Sequence, residues 1–231
     1  MGTQAQVLHY EIEKGFYLNR HLTRALKRKA KKLGLTFSRK VKITDFVIPS
    51  TGRSTKRLRV ERTVSSANGH LGIELLRCSK SHPIKGERGE HVRYEQEPEI
   101  TLDAALKFIA RAIDKHEAGI PRYWKTRTEY TCQYEGFDWT IALDHAFGLG
   151  HYSGRYMEIE TILPADSPRV VEALAAIDSL AIKLIGKQKV KISYRKMLMA
   201  TWDHTKVSSK KQLENLRSKY RKLIRGAAKA A

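Results

Sequence analysis

Charge alternates with period two in three short stretches of this chain, and a period of two belongs to β-strands. Glu11-Ile12-Glu13 lies near the start, Arg93-Tyr94-Glu95-Gln96-Glu97 in the middle and Glu158-Ile159-Glu160 late. Residues i and i+2 point to the same side of a strand, so each stretch sets two or three ionised groups on one face. Carboxylates stacked in this way repel each other unless something cationic lies between them. Together with basic partners on neighbouring strands, they offer what a divalent metal and a polyphosphate need.

The pattern continues along the chain. Arg57 and Arg59 share a face, as do Lys125 and Arg127; Lys80 follows one strand and Asp144 ends another. Unpaired charges are costly to bury, so these faces meet water or line a polar interior. Strands are expected at 7–18, 41–48, 57–63, 71–79, 91–97, 124–133, 138–144 and 156–163, with a hairpin turn at Glu135-Gly136-Phe137. Turns or loops are expected from Pro49 to Gly52 and from Ser81 to Gly86. Helical spacing marks 20–33 (capped by Asn19, stopped at Gly34), 102–116 (capped by Thr101 or Asp103) and 168–185. A last segment, 205–227, carries a Ser209-x-x-Gln212 capping box. Many antiparallel strands and a few helices predict an α+β protein with a sheet-dominated body. The compact domain is expected to span 1–202, with 203–231 as a basic amphipathic tail.

The chain of 231 residues is long enough to bury one large core. It has no apolar run that would span a bilayer and no leader-like N-terminus, so a soluble, cytoplasmic protein is expected. Cys78 and Cys132 make neither a disulfide framework nor a metal-ligand spacing. The net charge of +20 is uneven: residues 20–40 hold nine Lys/Arg and no acid, and residues 203–231 hold nine Lys/Arg against Asp203 and Glu214. The basicity belongs to two elements, and an anionic partner such as nucleic acid or long polyphosphate is the expectation for segments 20–33 and 205–227. The chain carries no zinc-finger, RNP or P-loop signature, so nothing supports specific base readout.

The order of these motifs resembles the CYTH domain, or triphosphate tunnel metalloenzymes, a family of inorganic and thiamine triphosphatases and class IV adenylyl cyclases. Fungal and viral RNA 5′-triphosphatases share that architecture. The resemblance runs from Glu11 to about Leu198. It rests on Glu11-Ile12-Glu13, Leu58-Arg59-Val60-Glu61-Arg62, Arg93-x-Glu95-x-Glu97 and Lys125-x-Arg127. The late run is the most specific: Ile141-Ala142-Leu143-Asp144, Gly148-Leu149-Gly150, Glu158-Ile159-Glu160 and Ser193-Tyr194.

The resemblance implies an eight-stranded antiparallel barrel with a charged bore and flanking helices. It implies Glu11, Glu13, Glu158 and Glu160 as ligands of Mg²⁺ or Mn²⁺ and as the catalytic carboxylates. Arg57, Arg59, Lys80, Arg93, Lys125 and Arg127 would clamp a triphosphate, with Arg62 an alternative to Arg57, and Glu95, Glu97 and Asp144 would support them. The expected reaction is metal-dependent attack of water on a terminal phosphorus. Alternatives are cyclisation of ATP, action on RNA 5′-ends, and a non-catalytic binder of polyphosphate or nucleotides. The sequence departs from the family twice. Gly15 stands where the family has lysine, with Lys14 on the other face, and about four extra residues lie near His151 to Gly154.

Overall fold

The computed structural model describes residues 9–49, 54–81, 92–165, 167–190, 192–202, 205–207 and 209–229. The loop expected after Ser81 and most of the turn from Pro49 to Gly52 lie outside these residues. Eight strands form the body: β1 (His9–Leu18), β2 (Thr36–Ile48), β3 (Ser54–Ser66), β4 (Gly72–Ser81), β5 (Val92–Gln96), β6 (Arg122–Tyr134), β7 (Phe137–Phe147) and β8 (Gly154–Pro164). All pairings are antiparallel, and the sheet closes on itself in the order β1-β5-β4-β3-β2-β6-β7-β8. Closure removes the exposed edges of an open sheet and gives every strand an inner and an outer face.

Among the described residues, five α-helices decorate the barrel: α1 (Arg20–Lys29), α2 (Leu102–His116), α3 (Val170–Ile185), α4 (Tyr194–Thr201) and α5 (Lys210–Lys229). The Asn19 side chain accepts from Leu22 N at 2.8 Å and starts α1. The helix ends earlier than its periodicity suggests: Lys31–Leu33 form a separate 3₁₀ turn, closed by Gly34 at φ 76°. Thr101 Oγ1 caps α2. Glu135 and Gly136, at φ 49° and 74°, are the two left-handed residues of the β6–β7 hairpin, the conformation a two-residue turn of matching twist requires. Most strands run longer than their alternation suggests, because the barrel's ladder continues into segments where side chains no longer alternate cleanly. The extra residues after Gly148-Leu149-Gly150 form a 3₁₀ turn at Gly150–Tyr152.

The apolar core lies outside the barrel, between strands and helices. One cluster joins Ile12, Ile141, Leu143, Met157 and Ile159 to α1 and α3 through Leu26, Ile177 and Leu180. A second joins Phe46, Leu58 and Val60 to Ile109 and Ile113 of α2 and Tyr220 and Ile224 of α5. Helix α5 therefore packs on the barrel; the Tyr220 hydroxyl accepts from Ile120 N at 2.8 Å and donates to Ile120 O at 2.6 Å. Its capping box is formed in both directions between Ser209 and Gln212. With apolar residues facing out to the helices, the charged residues of the same strands face in.

Candidate functional site

A cavity of about 950 Å³ runs through the barrel. Glu11, Glu13, Arg57, Arg59, Lys80, Arg93, Glu95, Glu97, Lys125, Arg127, Glu158 and Glu160 all line it. Asp144 does not reach the lumen; it is wholly buried beneath Lys125 and Arg127. Strand parity sets which residues face inward, and register sets which of them meet. Glu13 stands opposite Glu160, Gly15 opposite Glu158, Arg93 opposite Glu11 and Lys80 opposite Glu95. Arg57, not Arg62, faces the bore, because Arg62 shares parity with the core residues Leu58 and Val60. Lys14 points outward to Asp178 of α3, and Gly15 leaves a stretch of wall without a side chain.

Two buried aspartates carry the basic residues. Asp144 accepts from Lys125 Nζ at 2.8 Å, from Arg127 Nε at 2.7 Å and Nη2 at 2.8 Å, and from the Tyr194 hydroxyl at 2.8 Å. Asp45, on β2, accepts from Arg59 Nε at 3.0 Å and from the Tyr123 hydroxyl at 2.6 Å, with Arg57 Nε 3.7 Å away. Asp144 fixes Lys125 and Arg127, and Asp45 fixes Arg59, by charge-assisted, directional bonds; Arg57 shares the charge of Asp45 without a hydrogen bond and donates to Glu95 and Glu97. Burial opposes ionisation of Asp45, but Arg59 and Arg57 outweigh it and hold its carboxyl below the usual range. Burial likewise opposes the charge on Arg127, and Asp144 and Glu158 outweigh it, so the guanidinium is charged throughout. Burial and then Asp144 and Glu158 push the Tyr194 phenol up, which keeps it a neutral donor.

Asp45 and Tyr123 escape a reading of the sequence by charge alternation. The one signal is that Asp45 interrupts an apolar face, Val41-x-Ile43-x-Asp45-x-Val47; a lone acid in such a row needs a cationic partner. A further group was also missed: Arg39 bridges Glu61 and Glu129, each at 2.6 Å, with Glu74 opposite Glu61. All four line the cavity. His151, within the extra residues, packs tilted against Tyr152 and is not part of the lining.

Several cations of the bore are already engaged. Lys80 Nζ contacts Glu11 and lies 3.1 Å from Glu95, and it donates to Glu13. Arg57 Nη2 donates to Glu95 at 2.8 Å and Glu97 at 2.9 Å. Arg127 also donates to Glu158. Among the described residues the lining holds nine Lys/Arg against nine glutamates, before the buried Asp45 and Asp144 are added. The bore is thus richer in carboxylate than in cation. Burial, and then Glu13 beside it, pushes the Glu160 carboxyl up to about 7. Burial also raises Glu11, despite the contact with Lys80, because Glu13, Glu95 and Glu160 crowd it.

That shift has a measurable sign. A carboxyl whose folded-state pKa lies above its unfolded value favours folding while protonated, so stability falls as pH rises from about 4.5 to about 7. Without divalent cations, the melting temperature should drop over this window by roughly 5 °C, equivalent to about 2 kcal/mol. Glu160→Gln should flatten the profile; a metal-free profile that is flat or rises would contradict this reading of Glu160.

The donor set is hard oxygen, and its excess negative charge suits a divalent cation. Among the described residues, no three of these carboxylates are drawn together as a finished metal cage, which fits ligands held apart by Lys80 and Arg127.

Forty-four solved chains match this fold. The PH1819 protein of Pyrococcus horikoshii is 25% identical, covers 83% of this chain and 99% of its own, and superposes with a TM-score of 0.61. The PH1012 protein of the same organism is 21% identical over 81% of this chain and 99% of its own, with a TM-score of 0.57. A conserved hypothetical protein of Pyrococcus furiosus is 20% identical over 80% and 98%, with a TM-score of 0.54. No protein-family model and no curated protein matches the chain. Among the described residues, no helix is long and apolar enough to cross a membrane.

Proposed function

We propose that this chain, which has the fold of the triphosphate tunnel superfamily, is a divalent-metal-dependent hydrolase of a triphosphate group. The observation that carries the reading is a set of cations beside two buried aspartates, Arg59 bonded to Asp45 with Arg57 nearby, and Lys125 and Arg127 bonded to Asp144, lining the same bore as the carboxylates. A triphosphate presents several anionic oxygens, and guanidinium groups held by Asp45 and Asp144 meet them without reorganisation. Lys80 and Arg93 extend the basic lining past the Glu11–Glu13 face.

Glu11, Glu13, Glu158 and Glu160 are the residues that would hold Mg²⁺ or Mn²⁺. A bound ion supplies charge neutralisation of phosphate oxygens and a more acidic water. Glu95 and Glu97 position Arg57 and Arg59. Water attacks the terminal phosphorus in line, the bond to the bridging oxygen breaks, and orthophosphate separates from the diphosphate end. Arg127 and Lys125, fixed by Asp144, stabilise the charge on the transferring group; electrostatic positioning of this kind is the main contribution available in phosphoryl transfer.

The test is product analysis with purified protein, Mg²⁺ or Mn²⁺, and inorganic triphosphate or ATP, beside Glu158→Ala. Orthophosphate release that requires metal and falls by at least about 10²-fold in the variant supports the hydrolase. Cyclic AMP with pyrophosphate would replace it by the cyclase reading. Tight anion binding with no metal-dependent turnover would make the protein a binder, the reading that Gly15 in place of a lysine favours.

A further inference from the structure

Among the described residues, the helices leave part of the barrel's outside uncovered. Helices α1 and α3 cover one flank and α2 and α5 the other. Between them runs a strip of β3, β2, β6, β7 and β8. Cross-strand register makes it continuous: Arg62 stands opposite Lys42, Lys42 opposite Thr126, Thr126 opposite His145 and His145 opposite Arg155. Two residues along, on the same face, Trp124 stands opposite Phe147. Lys40 and the half-buried or exposed ends of Lys42, Arg62 and Arg155 point to solvent. Among the described residues, none of these four cations makes an ion pair, whereas every cation clamped by Asp45 or Asp144 makes several.

Helix α1 closes one side of the strip. Lys27 reaches across it to Thr128 Oγ1 at 3.4 Å. Burial and then the nearness of Lys40 and Arg155 lower the Lys27 pKa, with no acid entering to offset them. Like charges gathered without a counter-ion raise the energy of the free protein, and a polyanion relieves it. The aromatic pair adds a different signal. Trp124 is 45% exposed, an unusual position for so large an apolar ring. It is nonetheless packed on one side: it stacks on Phe147 at 6.2 Å with an interplanar angle of 14°. Its other edge lies where a Cβ on Gly148 would approach within 2.8 Å, and Gly148 has φ +78°, so that position is kept as glycine. The Arg122 guanidinium lies 5.9 Å from the ring centroid.

We infer that this outer strip is a binding surface for single-stranded nucleic acid, in which Lys40, Lys42, Arg62 and Arg155 follow the phosphates and the Trp124–Phe147 platform stacks bases. A basic track beside an exposed aromatic is what sequence-tolerant single-strand binding uses. Long polyphosphate would satisfy the cations but has nothing to place on the aromatic pair. The surface lies outside the bore, so the inference does not depend on the hydrolase reading.

The experiment is fluorescence anisotropy with the full chain and a labelled single-stranded 20-mer RNA bearing a 5′-hydroxyl, which removes any role for a triphosphate end. Binding should weaken with salt at a log–log slope of about −3. The triple variant Lys42→Glu, Arg62→Glu, Arg155→Glu should weaken it at least about 10-fold, and the milder Lys42→Gln, Arg62→Gln several-fold. Trp124→Ala should weaken it about 10-fold with little change in the salt slope. Circular dichroism melts identify any variant that fails to fold, and the glutamine pair serves if the triple variant does. The same loss from Lys211→Glu, Lys219→Glu, Lys222→Glu on α5, with the strip variants unaffected, would overturn the assignment. So would Trp124→Ala binding like the unaltered protein while polyphosphate competes as well as RNA, or no binding at low salt.

Discussion

Asp144→Ala should lower the melting temperature by roughly 10 °C, with a loss of about 3–5 kcal/mol of stability. The aspartate is wholly buried and satisfies Lys125, Arg127 and the Tyr194 hydroxyl at once. Removing it leaves two cations under the bore wall facing each other across the space it filled. Glu158, 3.6 Å from Lys125 and in contact with Arg127, is the carboxylate both cations share besides Asp144, and Glu129 lies 3.8 Å from Arg127. The cost is that of uncompensated buried charge, larger than the worth of the hydrogen bonds themselves. Asp144→Asn keeps the volume and loses the charge, so it should melt between the two; because Arg127 then loses its anchor, turnover should fall by about 10²-fold in protein that remains folded. Tyr194→Phe removes one of the four donors and should cost about 1 kcal/mol. A thermal melt of Asp144→Ala within about 2 °C of the unaltered protein would show that the aspartate does not anchor the pair.

Chelation of divalent cations should abolish turnover and weaken triphosphate binding by at least about 100-fold, a coupling of about 3 kcal/mol. The reason lies in how the bore is charged. Lys80 is held among Glu11, Glu13 and Glu95, and Arg57 between Glu95 and Glu97. A triphosphate that takes these cations strips the carboxylates of their partners, and burial makes bare carboxylates expensive. A divalent ion bound with the substrate offsets that loss, so metal and triphosphate should each strengthen the other. Titration calorimetry of inorganic triphosphate with and without Mg²⁺ measures the coupling. Equal affinity in both would mean that the carboxylates keep their cations when the anion binds, and that the bore works as an anion site alone. Lys80→Met should reduce the coupling, because Glu11 and Glu13 are then already without their cation.

The inward face of this barrel was readable because pleating converts sequence spacing directly into direction. Glu11 and Glu13, Arg57 and Arg59, Lys125 and Arg127, and Glu158 and Glu160 each lie two apart, and each pair lines the cavity. The same parity sends Lys14 outward to Asp178. Caps were legible for a related reason: the bonds of Asn19, Thr101 and Ser209 are made within one turn of chain.

What parity cannot say is who stands opposite whom. Asp45 has no charged neighbour at i+2; its partners Arg59 and Tyr123 reach it from two other strands, 14 and 78 positions away. Arg39, Glu61 and Glu129 form a group only because β2, β3 and β6 adjoin in the closed sheet. The strip joining Arg62 to Arg155 likewise exists only as a row across five strands. Helix α5, whose sequence is that of a basic amphipathic segment, turns its apolar face onto α2 and the barrel through Tyr220 and Ile224. The sequence by itself determined that the members of each alternating pair share one face, since a strand's repeat of two is local geometry. Only the tertiary structure decided which charges pair and which remain open on the outside, since pairing depends on register between distant strands, and the burial that makes each pair matter is a property of the closed barrel.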